Sequence, residues 1–469
     1  MNPEWDRQVI VDWALTFVAV IVAALLLADS NTARPSAHGS VSAVRELEFR
    51  AQMEKYPSLR EEMGVGDTDL LSESMDDLIR SDGTAPSQLI VVGTLALVIE
   101  REQYALEALD ELASRSDEEL ESFSAAAVQL SDLAKGRNGS IDSLQSSLNG
   151  TGASDWLRLS LLALDTRRKV EVSVADHHEE QARISAFSFV NRVRGIGAIG
   201  FTLCLLGSLL VMFWPMVRRA LQGANLNGLG EAPSPFILES THRIMIVWFL
   251  GHIALAATLS TAAMAMGGTP KSQALNVTMQ SLLGGGLGLW LIQHWGRRDQ
   301  DMVSLWIPLR IGLTPSTKGL LGLGAWVIGG LSVGLILVIG GTLISAILIG
   351  ESGSTQSALE LFSEHQNIEV RAALAISAVV FAPIFEEIIF RGFLYRNMRD
   401  ILGKTPAMML TGFLFALVHL DLNLLFPLAG LGFGLCLLYE RSGSLLAPIF
   451  VHALWNLAQL AILMVLVGG

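Results

Sequence analysis

Long hydrophobic runs dominate the second half of the chain. After Arg194, eight runs follow one another, near residues 196–215, 244–266, 273–295, 319–349, 370–395, 405–420, 424–439 and 445–467. A run of about 20 apolar residues is long enough for a helix to cross the hydrocarbon layer of a bilayer. Each run is therefore predicted to be a transmembrane helix. The run after Lys318 is long and rich in glycine, so it is expected to be tilted, kinked or re-entrant.

A further apolar run lies near the amino terminus, over residues 9–27. A cleaved signal peptide is one interpretation of this run, but Glu4 and Asp6 stand where such a peptide needs a cationic start. We favour an uncleaved transmembrane anchor over residues 1–29. It brings the expected number of transmembrane helices to about nine.

Residues 30–191 differ from the rest of the chain because they are polar and acidic. Their apolar residues recur at helical spacing, as at Tyr104, Leu106, Leu109 and Leu112. The most apolar stretch, residues 89–99, is too short to span a bilayer and is predicted to be a buried core helix. We therefore expect an all-α fold, a polytopic membrane helix bundle whose last eight helices form a core over residues 192–469. The helical domain 30–191 would be inserted before that core as a soluble unit.

Composition agrees with a membrane protein and excludes other classes. The 469 residues are 51% hydrophobic and include 44 glycines, and their mean hydropathy is +0.47. The net charge of −13 arises mostly from the polar region and gives no support to nucleic-acid binding. The two cysteines, Cys204 and Cys436, lie in apolar runs, so a disulfide framework is not expected.

Basic residues fall in alternate short loops between the hydrophobic runs. The basic loops carry Arg218, Arg219 and Arg243, then Arg297, Arg298 and Arg310, then Arg396, Arg399 and Lys404, then Arg441. Because cytoplasmic loops are enriched in Lys and Arg, these loops are assigned to the cytoplasm. We expect a multi-pass protein of the cell membrane, specifically the bacterial inner membrane. Its amino terminus would be cytoplasmic, and residues 30–191 extracytoplasmic.

Two adjacent carboxylates stand within an apolar run. Glu386 and Glu387 follow Pro383, and Arg391 lies four residues after Glu387. Charges at membrane depth are costly unless they are paired or face a wet cavity, so they are candidates for a functional site. Glu387 and Arg391 have the spacing of an ion pair on one helix face. Glu386 then has no local partner and is the candidate base.

Of two later histidines, His419 is predicted to lie level with Glu386, whereas His452 lies about 13 Å past the turn at Ser442 to Ser444, a shallower estimate that helix tilt could reconcile. His419 ends the run after the turn at Gly403, and Glu386 and His419 are each about 24 Å of helix from that turn. His452 opens the last run, with Asn456 on the same helix face. A single histidine in an apolar helix is a weak signal, as His252 illustrates.

These residues form three ordered motifs that resemble a known family. The chain resembles the CAAX proteases and bacteriocin-processing enzymes in the motifs Glu386-Glu387-x-x-x-Arg391, Phe415-x-x-x-His419 and His452-x-x-x-Asn456. The resemblance covers roughly the last hundred residues, and the acidic domain lies outside it. It implies an intramembrane endopeptidase of about eight helices with these motif residues at its site. The expected partners are the lipid bilayer and a membrane-bound or lipidated protein or peptide substrate.

Peptide hydrolysis needs a deprotonated water and donors for the developing oxyanion. Glu386 is the candidate base, His419 would orient the same water, and His452 with Asn456 would face the oxyanion. Glu387 and Arg391 would hold the helix. No cofactor is required by this scheme.

Two alternatives stay open. Glu386, His419 and His452 also form a plausible ligand set for a divalent metal such as zinc. The chain could instead be a non-catalytic scaffold, an immunity factor or a transporter component of the same architecture.

Overall fold

The computed structural model describes residues 41–63, 70–80, 86–114, 120–137, 141–148, 153–169, 172–213, 229, 234, 238–296, 317–349, 361–362 and 367–467. The regular elements in these segments are all helices, as the all-α prediction requires. The expected anchor over residues 9–27 lies outside the described residues. The chain divides into two compact units, and along the sequence the division falls between Ile196 and Gly197.

The unit before Gly197 is built from short helices around one apolar core. Its elements are α1 (Val41–Lys55), α2 (Pro57–Met63), α3 (Leu70–Arg80), α4 (Pro86–Val98), α5 (Glu102–Ser114), α6 (Leu120–Ala134), α7 (Asp142–Ser147), α8 (Asp155–Arg168) and the first part of α9 (Val172–Met212). Helix α4 is buried on nearly every side, which confirms the predicted core helix. Gly136 has a positive φ of 69° in the turn that follows α6.

Polar contacts tie α1 to the first part of α9. Glu179 accepts a hydrogen bond of 3.3 Å from the Tyr56 hydroxyl and lies 3.1 Å from the Lys55 ammonium. The Trp156 indole N–H donates to the Tyr56 oxygen at 3.3 Å. Burial, with a smaller contribution from the Glu179 charge, raises the pKa of Tyr56 to about 12.

The second unit holds the hydrophobic runs. Its elements are the end of α9, then α10 (Leu238–Ala265), α11 (Pro270–Trp295), α12 (Thr317–Leu348), α13 (Ile368–Leu402), α14 (Lys404–Leu417), α15 (Leu425–Ser442) and α16 (Leu446–Val467). Each of the eight predicted runs after Arg194 corresponds to one of these helices. Six described helices are long and apolar enough to cross a membrane: Val172–Leu209, Ser240–Ala265, Pro270–Trp295, Leu321–Leu348, Ile368–Leu402 and Leu446–Val465.

Helices α14 and α15 differ from simple transmembrane spans. Helix α14 has 14 residues, about 21 Å at 1.5 Å per residue, whereas the hydrocarbon layer is about 30 Å thick. Helix α15 has 18 residues and ends in Glu440, Arg441 and Ser442. The expectation of eight full spans after Arg194 thus applies by length and composition to six helices. The other two are shorter elements packed among them.

One face of α12 carries apolar side chains that point away from the protein. Ile336, Ile339, Leu343 and Ile347 are 52%, 49%, 61% and 81% exposed, and they recur at intervals of three or four residues. An apolar stripe of this kind is stable against lipid rather than water. Helix α12 therefore presents a lipid-facing surface.

The opposite side of α12 approaches α15 closely at glycines. A Cβ at Gly330 would lie 2.7 Å from Leu438 Cδ2, and a Cβ at Gly430 would lie 2.7 Å from the Leu337 carbonyl oxygen. Gly330 and Gly430 are therefore positions of close helix contact. Small residues let membrane helices pack backbone to backbone.

Candidate active site

Helix α13 widens on both sides of Pro383. Residues Ser377–Phe381 and Glu387–Tyr395 are π-helical. Proline lacks an N–H, and its ring clashes with the preceding turn of an α-helix. Short π-helical turns inside α-helices are frequent at functional sites. The widened helix brings both Glu386 and Glu387 to the same region of the bundle.

Glu387 is buried, and its Oε1 atom contacts both Arg391 and His452. Arg391 Nη1 donates to Glu387 Oε1 at 2.9 Å, and both side chains are 0% exposed. His452 Nδ1 lies 2.8 Å from the same oxygen, and Arg391 Nη2 donates to the Gly432 carbonyl oxygen at 3.2 Å. The ion pair expected from the spacing is confirmed, and it links α13 to α15 and α16.

Glu386 has a different environment from its neighbour. Its side chain is 26% exposed, and Oε2 lies 3.8 Å from His452 Nε2. That distance is too long for a direct hydrogen bond and suits a bridging water. Among the described residues, Oε2 is buried without a hydrogen-bond partner. Glu386 therefore keeps its accepting capacity for a group that enters the site.

His452 connects the two carboxylates. Because Nδ1 contacts a carboxylate, it carries the proton, and the ring then presents Nε2 toward Glu386. The ring is almost fully buried, 4% exposed. A second partner that fixes the tautomer and orientation of a histidine is common at catalytic and metal sites.

Phe415 lies at the centre of the aromatic and cationic groups. The Arg391 guanidinium carbon lies 4.5 Å from its ring centroid. The rings of His419, Phe390 and His452 have centroids 5.0, 5.3 and 5.8 Å away, in edge-on arrangements. Phe415 of α14 thus packs against side chains of both α13 and α16.

His419 reaches the site from the residues that follow α14. Its Nδ1 lies 2.8 Å from the Phe415 carbonyl oxygen, which requires an N–H at that position and leaves Nε2 to face other groups. That Glu386 and His419 lie at one depth stays a prediction.

Asn456 donates a hydrogen bond to the backbone of α13. Ala382 N–H bonds to the Ser377 carbonyl, and Pro383 has no N–H to offer, so the Ala378 carbonyl loses its helical donors. Asn456 Nδ2 donates to that carbonyl at 2.7 Å. The second N–H of the amide remains for another acceptor. The observed contact is structural, whereas the sequence suggested a role facing the oxyanion.

Sequence reasoning missed the role of α11. A Cβ at Gly285 would lie 2.2 Å from Phe385 Cγ, and a Cβ at Gly288 would lie 2.5 Å from Ile389 Cδ1. These glycines allow α11 to approach the carboxylate-bearing part of α13. The run of glycines was the signal in the sequence that could have identified this surface.

The predicted metal set is not assembled. Within the segments that the structure describes, no three His, Cys, Asp or Glu side chains lie close enough to hold a metal ion. His452 Nδ1 is engaged with Glu387, and His419 Nδ1 with a backbone carbonyl, which leaves Nε2 of each ring available, as in metal-ligating histidines. The separation of the three side chains in the described residues is what does not fit a zinc site, so we derive no step through a metal.

Comparisons with known proteins agree with this arrangement. Residues 368–458 match the family described as type II CAAX prenyl endopeptidase Rce1-like. The "Putative membrane peptidase YdiL" of Bacillus subtilis (strain 168) is 31% identical over 106 residues, which are 23% of this chain and 41% of that protein. The match thus covers less than half of that relative's length. No solved structure shows significant similarity.

The family match includes α13, α14 and α15 and the first half of α16. These helices carry the paired glutamates and both motif histidines. Over residues 368–458 the chain is therefore similar to the type II CAAX prenyl endopeptidases, which confirms the resemblance that the three motifs indicate.

Proposed function

We propose that this chain hydrolyses a peptide bond of a membrane-associated protein or peptide, and that Glu386 activates the attacking water. The observation that carries the proposal is the contrast between the two glutamates. Glu387 Oε1 is engaged by Arg391 and His452. The Oε2 atoms of both glutamates lack a hydrogen-bond partner among the described residues, but only Glu386 is accessible to an entering group, because its side chain is 26% exposed and that of Glu387 is 0% exposed. A carboxylate with spare accepting capacity beside an imidazole is suited to proton transfer.

The proposed reaction begins when Glu386 takes a proton from water as the water oxygen attacks the peptide carbonyl carbon. The tetrahedral intermediate that forms carries the negative charge on the former carbonyl oxygen. Glu386 then returns the proton to the amide nitrogen, the C–N bond breaks, and a carboxylic acid and an amine leave. Glu386 ends in its starting state.

His452 supports both steps from the opposite side of the water. A neutral ring accepts a hydrogen from water at Nε2, and a protonated ring donates Nε2–H to the oxyanion. Glu387 and Arg391 fix the orientation of this ring. We assign His419 to the water as well, through its Nε2, and Asn456 to positioning α13.

The proposed substrate is a protein or peptide held in the membrane, either by a hydrophobic segment or by a lipid. The membrane-spanning helices and the apolar surroundings of the glutamates support such a substrate. The chemistry that we propose uses protein groups and water. Cleavage that is lost on chelation and restored by zinc would support the metal-dependent alternative instead.

Quantitative proteomics of protein termini can test this function. Membranes from cells with the wild-type chain are compared with membranes from cells with Glu386→Gln, which keeps the shape of the side chain and removes the base. Glu369→Gln is the matched control because Glu369 lies on the same helix but is exposed and pairs with Lys271 at 2.6 Å.

We expect at least one membrane protein to accumulate uncut in the Glu386→Gln membranes alone. Identical termini in all three membranes, with the chain expressed at equal levels, would contradict the proposed hydrolase. A biological activity that survives Glu386→Gln would support a non-catalytic protein of the same architecture.

A further inference from the structure

Helices α10 and α13 run antiparallel in a register that two contacts define. Asn397 Nδ2 donates to the Thr241 hydroxyl at 2.7 Å. Seven residues further along α10, Trp248 meets Phe390, which is seven residues earlier on α13, with ring centroids 5.6 Å apart. The two contacts share one antiparallel register.

One more helical turn in this register brings His252 level with Glu386. His252 follows Trp248 by four residues, and Glu386 precedes Phe390 by four. The surface of α11 agrees with this placement, because a Cβ at Gly284 would lie 2.4 Å from His252 Nδ1 and a Cβ at the adjacent Gly285 would lie 2.2 Å from Phe385 Cγ. The register and the shared contacts with α11 therefore place His252 at the level of the candidate base.

The ring of His252 is held by its surroundings. Its centroid lies 5.8 Å from that of Trp248, and the Trp248 indole N–H donates to the Gly284 carbonyl oxygen at 3.0 Å. A Cβ at Gly284 would lie 2.4 Å from His252 Nδ1. Only glycine at this position of α11 leaves room for the imidazole.

The same nitrogen lacks a protein partner. Nδ1 of His252 is buried and makes no hydrogen bond to any residue in the described segments. An unsatisfied buried polar atom destabilises the fold, and such atoms in native proteins call for an explanation by function or by bound water. A leucine of similar size would avoid this cost, so packing alone does not explain a histidine here.

We propose that His252 is a positioning residue of the site, which orients the Glu386 carboxylate through a hydrogen bond made directly or through one water. His252 lies on α10, outside the region 368–458 that carries the motifs. The inference rests on the proposed function, because it concerns the same carboxylate. It gives α10, the second helix of the membrane unit, a part in positioning the Glu386 carboxylate.

Two substitutions separate positioning from packing. His252→Leu keeps the volume and removes the polar atoms, whereas His252→Gln keeps a hydrogen-bond donor and acceptor. The readout is the first-order rate, in a pulse-chase, at which membranes cleave the precursor that accumulates with Glu386→Gln. The thermal unfolding midpoint of each purified variant in detergent is measured in parallel.

We expect His252→Leu to slow cleavage by about tenfold or more, since small errors in positioning have effects of that size. Its unfolding midpoint should equal or exceed that of the wild type, because an unsatisfied buried atom is removed. His252→Gln should recover most of the lost rate.

A wild-type cleavage rate for His252→Leu would overturn the inference. Equal loss of rate in both variants, with lowered unfolding midpoints, would also overturn it, because that result indicates packing. If Glu386→Gln is inactive while His252→Leu is fully active, only the role of His252 fails. If Glu386→Gln is active, the proposed function itself fails.

Discussion

Adjacent glutamates on α13 occupy different environments, and the difference arises from their partners. Arg391 lies one turn from Glu387 and is buried with it, while His452 reaches the same oxygen from α16. Because both charges are desolvated, the loss of one partner leaves the other uncompensated. The pair is therefore a structural requirement for the site, whereas Glu386 remains available for chemistry.

Replacement of Arg391 tests whether the Glu387–Arg391 pair is required for stability. Arg391→Met should destabilise the protein by about 3–5 kcal/mol, because Glu387 would stay buried without its cation. Arg441→Met is the control, since Arg441 is exposed at the end of α15. Unfolding in detergent measures both variants. Equal stability of the two would contradict a buried ion pair.

Asn456 and Pro383 should be energetically coupled. Asn456→Ala removes the donor to the Ala378 carbonyl and is expected to cost about 1–3 kcal/mol. Pro383→Ala restores a backbone N–H near that carbonyl, so Asn456→Ala should cost less in that background. A double-mutant cycle on unfolding free energies measures the coupling. The same cost in both backgrounds would contradict the assignment.

Sequence spacing predicted the contacts within one helix but not the contacts between helices. The Glu387–Arg391 pair follows from their separation of four residues. The meeting of His452 with Glu387 depends on how α16 packs against α13, 65 residues away in sequence. His252 appeared as an isolated histidine because Glu386, the carboxylate that we propose it orients, lies 134 residues later.

At the scale of elements, α11 and α13 run in parallel and meet at small residues. The Ser377 hydroxyl donates to the Thr278 hydroxyl oxygen at 2.9 Å, and Gly285 lies against Phe385, the residue before Glu386. The position of the candidate base thus depends on a glycine of another helix. The hydrophobic pattern predicted these helices, but it does not distinguish π-helical from α-helical turns, and the π-helical turns on both sides of Pro383 were not predicted.

The glycines of α11 supply a matched pair of substitutions. Gly285→Ala should cost about 1–3 kcal/mol and lower cleavage, because the new Cβ would lie 2.2 Å from Phe385 Cγ. Gly286→Ala should keep wild-type stability and cleavage, since no neighbouring atom lies within 4 Å of its Cβ. Unfolding midpoints and cleavage rates test both. Indistinguishable variants would contradict the close approach of α11 to the site.

At the scale of the whole molecule, the chain combines a helical unit with an apolar core and a membrane unit that carries the candidate site. Basic loops in alternation predict that the unit before Gly197 faces the outside of the cell. Composition predicted the apolar helices of the membrane unit, and six described helices are long and apolar enough to cross a membrane. The extracytoplasmic location of residues 30–191 stays a prediction.

Labelling of single cysteines tests the orientation. Both native cysteines are replaced by alanine, and Gln181→Cys or Arg441→Cys is introduced at an exposed position. A membrane-impermeant maleimide should label the Gln181→Cys variant in intact cells. It should label the Arg441→Cys variant only after the cells are permeabilised. The reverse pattern would place the acidic unit in the cytoplasm.

The central claim is that Glu386 and His452, from two separate helices, act on one water. Cleavage of the identified precursor by purified protein in liposomes tests it most directly, with Glu386→Gln, His452→Gln and the double variant compared with the wild type. We expect each single variant to lower the rate by about 10²-fold or more. The double variant should be no slower than the slower single variant, as for groups that act as a unit. Cleavage by Glu386→Gln at the wild-type rate would contradict the claim.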